Sequence, residues 1–139
     1  MTSSDQPAPL VVLSFKKHLV AMNVSTGERA WTHALEDKNT YGALRVEHGH
    51  VFFITAQEIL CLNYLTGKRL WTSELPGAFS SSPRIITYNN CLVLLNIGEA
   101  ACFAMNDGAL RWHDKFRGMG IHGGAMAAPG VWTDIDRIV

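Results

Sequence analysis

Excess charge of either sign is missing: 12 Lys and Arg offset 12 Asp and Glu over 139 residues, for a formal net charge of zero. Such a balance carries no electrostatic footprint for nucleic acid or an anionic membrane surface. The basic residues are scattered, Lys16-Lys17 being the densest run, so nucleic acid is not an expected partner. No apolar run approaches the ~20 residues that span a bilayer, and membrane insertion is not expected. The stretch Met1–Leu10 has no basic segment leading into an apolar one, so no secretory signal is read there. Cysteine is scarce: Cys61, Cys91 and Cys102 are an odd number without metal-type spacing. They read as small buried hydrophobes in a reducing compartment, and the cytoplasm is the expected location. Helical periodicity is also absent over any window of 11 or more residues. What remains, with 47% apolar and 17% charged residues, is a globular chain of at most one ordinary domain.

Against these absences stands one strong presence, a repeat. Leu60–Trp71 reads as an apolar strand, a tight Thr66-Gly67 turn and a second strand opening on a Trp. Val20–Trp31 repeats it around Thr26-Gly27, and Ala101–Trp112 repeats it in a worn form around Asp107-Gly108. The Trp residues are 40 and 41 residues apart, a period that marks a repeat architecture. Gly supplies the positive φ that such turns demand at little steric cost.

Around these hairpins the chain divides into short runs rich in β-branched and aromatic residues, such as Leu10–Phe15, Val51–Thr55 and Cys91–Asn96. Thirteen candidate strands follow, and with four strands A to D per unit they run B-C-D, A-B-C-D, A-B-C-D, and A-B in the tail. Residues 1–9 form a flexible leader, 10–40, 41–77 and 78–117 form three units, and 118–139 forms a tail. Tyr41–Glu47, Ser81–Tyr88 and Val131–Val139 are read as strands, and the stretch around Ile121–Ala128 as a spare strand for a neighbouring copy. Runs such as Val51–Ile54 and Ile59–Leu62 are apolar at adjacent positions, so neither sheet face is left to water. The predicted fold is all-β: propeller blades of four antiparallel strands, about three per chain. Trp31, Trp71 and Trp112 then read as wedges between blades and not as cofactor-stacking platforms.

These hairpins resemble the PQQ-like β-propeller repeat, whose pattern is Ala-x-Asp-x-x-Thr-Gly-x-x-x-Trp. The residues that carry the resemblance are Ala21, Thr26, Gly27 and Trp31; Cys61, Thr66, Gly67 and Trp71; and Cys102, Gly108 and Trp112. Asn23, Asn63 and Ala104 replace the Asp, so weaker side-chain bonding of the turn is expected. The resemblance implies a propeller of the kind found in quinoprotein dehydrogenases and in outer-membrane-protein assembly scaffolds. The dehydrogenases carry a vicinal cysteine pair and a calcium site, whereas here no two cysteines are adjacent and the acidic residues form no ligand pattern. The expectation is therefore a non-catalytic protein-interaction scaffold with no cofactor and no metal. The alternative is a sensor propeller binding a small ligand in its central channel.

Other candidate motifs carry less. His48-Gly49-His50 lies at a predicted turn without a third ligand, and His113-Asp114 are adjacent on a strand, so they face opposite ways. Ser80-Ser81-Ser82 lacks the strand–turn–helix context of a nucleophile, and Gly118–Gly124 lacks the Lys and helix of a phosphate loop. Three blades are too few to close a ring, since propellers have four to eight. The chain is therefore expected to oligomerise, a dimer giving six blades, with Ile121, Met126, Val131, Trp132 and Ile135 in the assembly tail; the rivals are a piece of a larger propeller and docking on a different protein that carries the missing blades.

Overall fold

The structure, a computed structural model, describes residues 9–36, 41–77, 79, 83–119 and 124–133. The described residues are all-β, with no helix long and apolar enough to cross a membrane. Thirteen strands run in order: β1 Leu10–Ser14, β2 His18–Asn23, β3 Arg29–Ala34, β4 Ala43–Glu47, β5 His50–Ile54, β6 Glu58–Asn63 and β7 Arg69–Glu74. They continue with β8 Arg84–Tyr88, β9 Cys91–Asn96, β10 Glu99–Ala104, β11 Leu110–Asp114, β12 Met126–Ala128 and β13 Val131–Thr133.

Each sheet is an antiparallel meander of chain neighbours: β1-β2-β3, then β4-β5-β6-β7, then β8-β9-β10-β11, with β12-β13 as a final hairpin. These are the blades of a partial β-propeller. In every blade the last hairpin carries a bulge at the same place, opposite the residue before the Trp, at Ala21/Met22, Cys61/Leu62 and Cys102/Phe103. The extra residue lets the strand turn its Trp toward the following blade while the residues beyond it face the other way.

The core lies between blades, in two layers. In one, Leu19, Ala21 and Trp31 of the first blade meet Val51, Phe53, Leu60 and Leu62 of the second. In the other, Phe52, Ile59, Cys61 and Trp71 of the second blade meet Leu92, Leu94, Ala101 and Phe103 of the third. The middle blade is thus apolar on both faces because it has a neighbour on both, which explains its adjacent apolar residues.

Several expectations need correction. The first strand of the third blade is described over Arg84–Tyr88, after the rigid φ of Pro83; Ser81 and Ser82, where the sequence reading begins it, lie outside the described residues. The strand read over Val131–Val139 is described only for Val131–Thr133. The spare strand around Ile121–Ala128 is not free: β12 pairs with β13, and both lie against the chain's own β8. Ile121 and Ile135 fall outside the described residues.

Candidate functional site

The repeated Trp-and-turn unit builds one junction twice. The indole N–H of Trp31 donates to the backbone carbonyl of Tyr64 over 2.8 Å, and that of Trp71 donates to the carbonyl of Met105 over 2.9 Å. Beneath each ring lies the glycine of the next blade's turn. A Cβ on Gly67 would come within 2.5 Å of Trp31 Cδ2, and one on Gly108 within 2.3 Å of Trp71 Cε3. Both glycines also hold φ near +75°, at +75° and +77°, so two independent constraints exclude a side chain. The ring is buried, its one polar atom is satisfied, and the next blade is fixed in height and tilt.

The turns hold their shape through side-chain bonds. Asn23 Oδ1 accepts from the amides of Ser25 and Thr26, and Asn63 Oδ1 accepts from those of Leu65 and Thr66. Asn therefore bonds the turn in full where weaker bonding was expected, because both bonds need only an acceptor oxygen. Thr26 and Thr66 Oγ1 each accept from the amide two residues on, at Glu28 and Lys68. In the third turn Ala104 offers no oxygen in place of the Asn, while Asp107 Oδ1, at the Thr position, takes the amide of Ala109 as the two Thr residues take theirs.

Secondary contacts complete the seams. His33 bonds the backbone of Gly67, and Ser73 Oγ donates to the carbonyl of Gly108. Burial lowers the His33 pKa below its ordinary 6.5, the Gly67 bond opposes this, and Arg69 adds to the lowering. Tyr64 clasps the first blade from the second: its hydroxyl accepts from the Leu10 amide and donates to the Leu10 carbonyl. Nearer the inner strands, Arg45 bonds the Ile85 carbonyl, Thr87 Oγ1 donates to Glu47, and Arg84 bonds the Gly124 carbonyl.

Trp112 departs from the pattern. Trp31 and Trp71 are 8% and 9% exposed, but Trp112 is 46% exposed, because no outer hairpin follows it among the described residues. It does not act as a wedge here. At the other end the Gly27 turn has no ring above it, and nothing lies within 4 Å of the position its Cβ would take. The face around it is open too. Val11 and Leu13 are 42% and 38% exposed, whereas Val51 and Phe53, at the same positions in the second blade, are 0% and 1% exposed.

The remaining candidates fall as follows. His50 is stacked on Phe52 and its Nδ1 bonds the His48 carbonyl; among the described residues no group of three or more His, Cys, Asp or Glu is gathered to hold a metal. His113 and Asp114 do not meet, but His113 Nε2 lies 2.6 Å from the buried Glu99, a pair that sequence spacing did not signal. It closes diagonally across the β10–β11 pairing, in which His113 lies opposite Ala101. The three cysteines are free; Cys61 and Cys102 are buried and Cys91 only half-buried. The serine run lies outside the described residues, and of Met126, Val131 and Trp132 only the first two have described side chains.

Blades of this repeat, joined by indole-to-carbonyl bonds over a turn glycine, define a segment of a PQQ-like β-propeller. Residues 5–127 match the family described as outer membrane protein assembly factor BamB, and the chain belongs to that family. No curated protein matches it. Among solved structures it is similar to BamB from Moraxella catarrhalis, with 15% identity and a TM-score of 0.56 over 82% of this chain and 37% of that one. It is similar to the computationally designed Ika8 protein, with 13% identity and a TM-score of 0.71 over 94% of this chain and 41% of that one. It is also similar to a europium-containing methanol dehydrogenase, with 15% identity and a TM-score of 0.58 over 75% of this chain and 22% of that one. The chain thus spans less than half the length of each, and identities this low carry the fold alone.

Proposed function

We propose that the chain is a non-catalytic protein-interaction scaffold, a propeller segment that docks blade on blade into a larger protein assembly. The observation that carries this reading is the pair of open apolar faces, one at Trp112 and one at Val11 and Leu13. Residues that a neighbouring blade buries elsewhere in the chain are half in water here, and patches of that kind mark interaction surfaces. The recurring motif residues, Thr26, Gly27, Trp31, Thr66, Gly67, Trp71, Gly108 and Trp112, serve this docking: they shape turns and seat rings. The partner is protein, and a second copy is the first choice, because two chains of three blades make a ring of six. Ile121, Met126, Val131, Trp132 and Ile135 then lie in the tail that borders the joint. Three free thiols support a reducing compartment, the cytoplasm.

Sedimentation at micromolar concentration tests the reading, alone and with native cell extract. The expected result is a defined species larger than the monomer. A folded monomer that sediments alone in both settings refutes it. A small-molecule screen in which one compound raises the melting temperature of that monomer would establish the ligand-sensor alternative instead.

A further inference from the structure

We propose that the two open faces are the two halves of one more blade junction: Trp112 of one copy seats on the Val24–Gly27 turn of a second copy, head to tail. This rests on the reading above, that the chain works by docking blade on blade. The two internal junctions supply the template. Each needs an indole donor, a carbonyl acceptor, a glycine beneath the ring and an apolar residue beyond the Trp.

Every one of these parts is present at the ends, and among the described residues no further blade covers them. The free indole is Trp112, half in water. The acceptor is the carbonyl of Val24, which holds the position that Tyr64 and Met105 hold in the bonds to Trp31 and Trp71. The glycine is Gly27, with φ +77° like Gly108 and open space where the rings lie over Gly67 and Gly108. Four residues past each Trp come Leu35 and Leu75, both packed into the inter-blade cores, and then Phe116, which is exposed. A hollow of about 250 Å³ lined by Phe15, His18, Val20, Arg29 and Thr32 opens on the first blade. At the first internal junction the matching residues of the second blade, Glu58, Leu60, Arg69 and Thr72, border a smaller hollow of about 150 Å³ together with His33 to Glu36 of the first blade. Phe116 would close the larger, open hollow from the other copy, as Leu35 borders the one at the first internal junction.

Charge agrees with the match. At the first internal junction His33 faces Arg69, whose charge opposes protonation of the ring. The same two positions at the open ends are Asp114 and Arg29, of opposite sign. Asp114 cannot donate to a turn carbonyl as Ser73 does, but it can pair with Arg29, which fixes register and speeds encounter. One segment must move. The hairpin β12–β13 lies against β8 in the A and B positions of the next blade, while β1 of the incoming copy is itself a B strand. β13 gives way, since β1 is held by both Tyr64 hydroxyl bonds at Leu10. Because the plug and the socket are different surfaces, the joint is heterologous, and each copy has one of each.

The test is sedimentation velocity of the whole chain with two variants, each disabling one end at an exposed residue: Trp112→Ala and Val24→Glu. Both should melt like the wild type, since neither side chain is buried in the single chain. Each alone should assemble at least about tenfold more weakly than wild type, as for an interface anchor. Mixed in equal amounts, they should form a one-to-one dimer through the single intact joint, Trp112 of one on the Val24–Gly27 turn of the other. Wild-type assembly that survives Trp112→Ala, or a mixture that stays monomeric, overturns the head-to-tail joint while leaving the scaffold reading intact. A wild type that is monomeric and captures no protein overturns both. An independent check is charge exchange: Arg29→Glu should weaken assembly and Asp114→Arg in the same chain should restore it. Failure of that rescue overturns the pairing of these two positions.

Discussion

Gly67 and Gly27 share a turn type and nearly the same φ, yet the cost of a methyl group at each differs. In the single chain at low concentration the Cβ added at Gly27 meets open space, so Gly27→Ala should cost only the left-handed backbone there, about 1–2 kcal/mol. At Gly67 it also strikes the Trp31 ring and must expel it from its seat, so Gly67→Ala should cost several kcal/mol more, on the scale of losing a buried aromatic. Denaturant midpoints of the two variants measure the difference, and equal losses would remove the ring-over-glycine contact from the account. Cys61 offers a second measurement at this scale. Burial pushes its thiol from 9.0 up to about 12. The neutral form is the one the fold favours, so its contribution is full below pH 9 and is lost as pH rises toward 12. Stability of the wild type should therefore fall across that window, and Cys61→Ala, which copies Ala21 of the first blade, should fall less steeply in denaturation at stepped pH.

At the scale of elements, the seam between the first two blades carries its own titration. Burial, the largest cause, holds the His33 pKa below 6.5, and Arg69 holds it lower still against the Gly67 bond. A depressed base contributes stability that is present above pH 6.5 and lost as pH falls through the folded value. Melting temperature should drop on acidification below that point, and His33→Ser, the residue of the second seam at Ser73, should flatten the drop. This seam also shows what was legible in the sequence. The three hairpins and thirteen strands could be counted because period, turn glycine and Trp recur along the chain. The Tyr64–Leu10 clasp could not, because its partners are 54 residues apart and Val24 and Met105, at the Tyr position in the other copies, cannot make it. The full bonding of the Asn turns was also hidden, since it depends on where a carbonyl oxygen points and not on residue class. Trp112 was legible as a repeat residue and illegible as an exposed one, because a pattern records likeness and burial depends on which neighbour follows.

Over the whole molecule, the two internal junctions make stability a sum of near-neighbour terms, as in other repeat arrays. Trp71 sits in the second of them, against Phe52 at a ring distance of 5.9 Å. Trp71→Ala should cost about 3–5 kcal/mol, comparable with the whole stability of a small domain. Trp112→Ala, with its ring half in water, should leave the single chain's melting temperature within a degree or two of wild type at low concentration. Calorimetry of the pair at matched dilution is the measurement, and a large loss in Trp112→Ala there would place its ring inside the chain's own core.

At both internal junctions the atom that receives the indole belongs to the peptide backbone, and the surface under the ring is a glycine. A socket made of main chain takes its donor through a group that every residue carries, so the accepting position itself asks for no particular side chain. Successive copies can then drift apart in sequence, as Tyr64 has from Met105 at the accepting residue, without losing the ability to follow one another. The blades of such a chain are interchangeable parts. Excising or duplicating one period of about forty residues leaves each Trp at an internal junction facing a carbonyl and a glycine, so the number of blades is free to change by whole units while the joint itself stays the same.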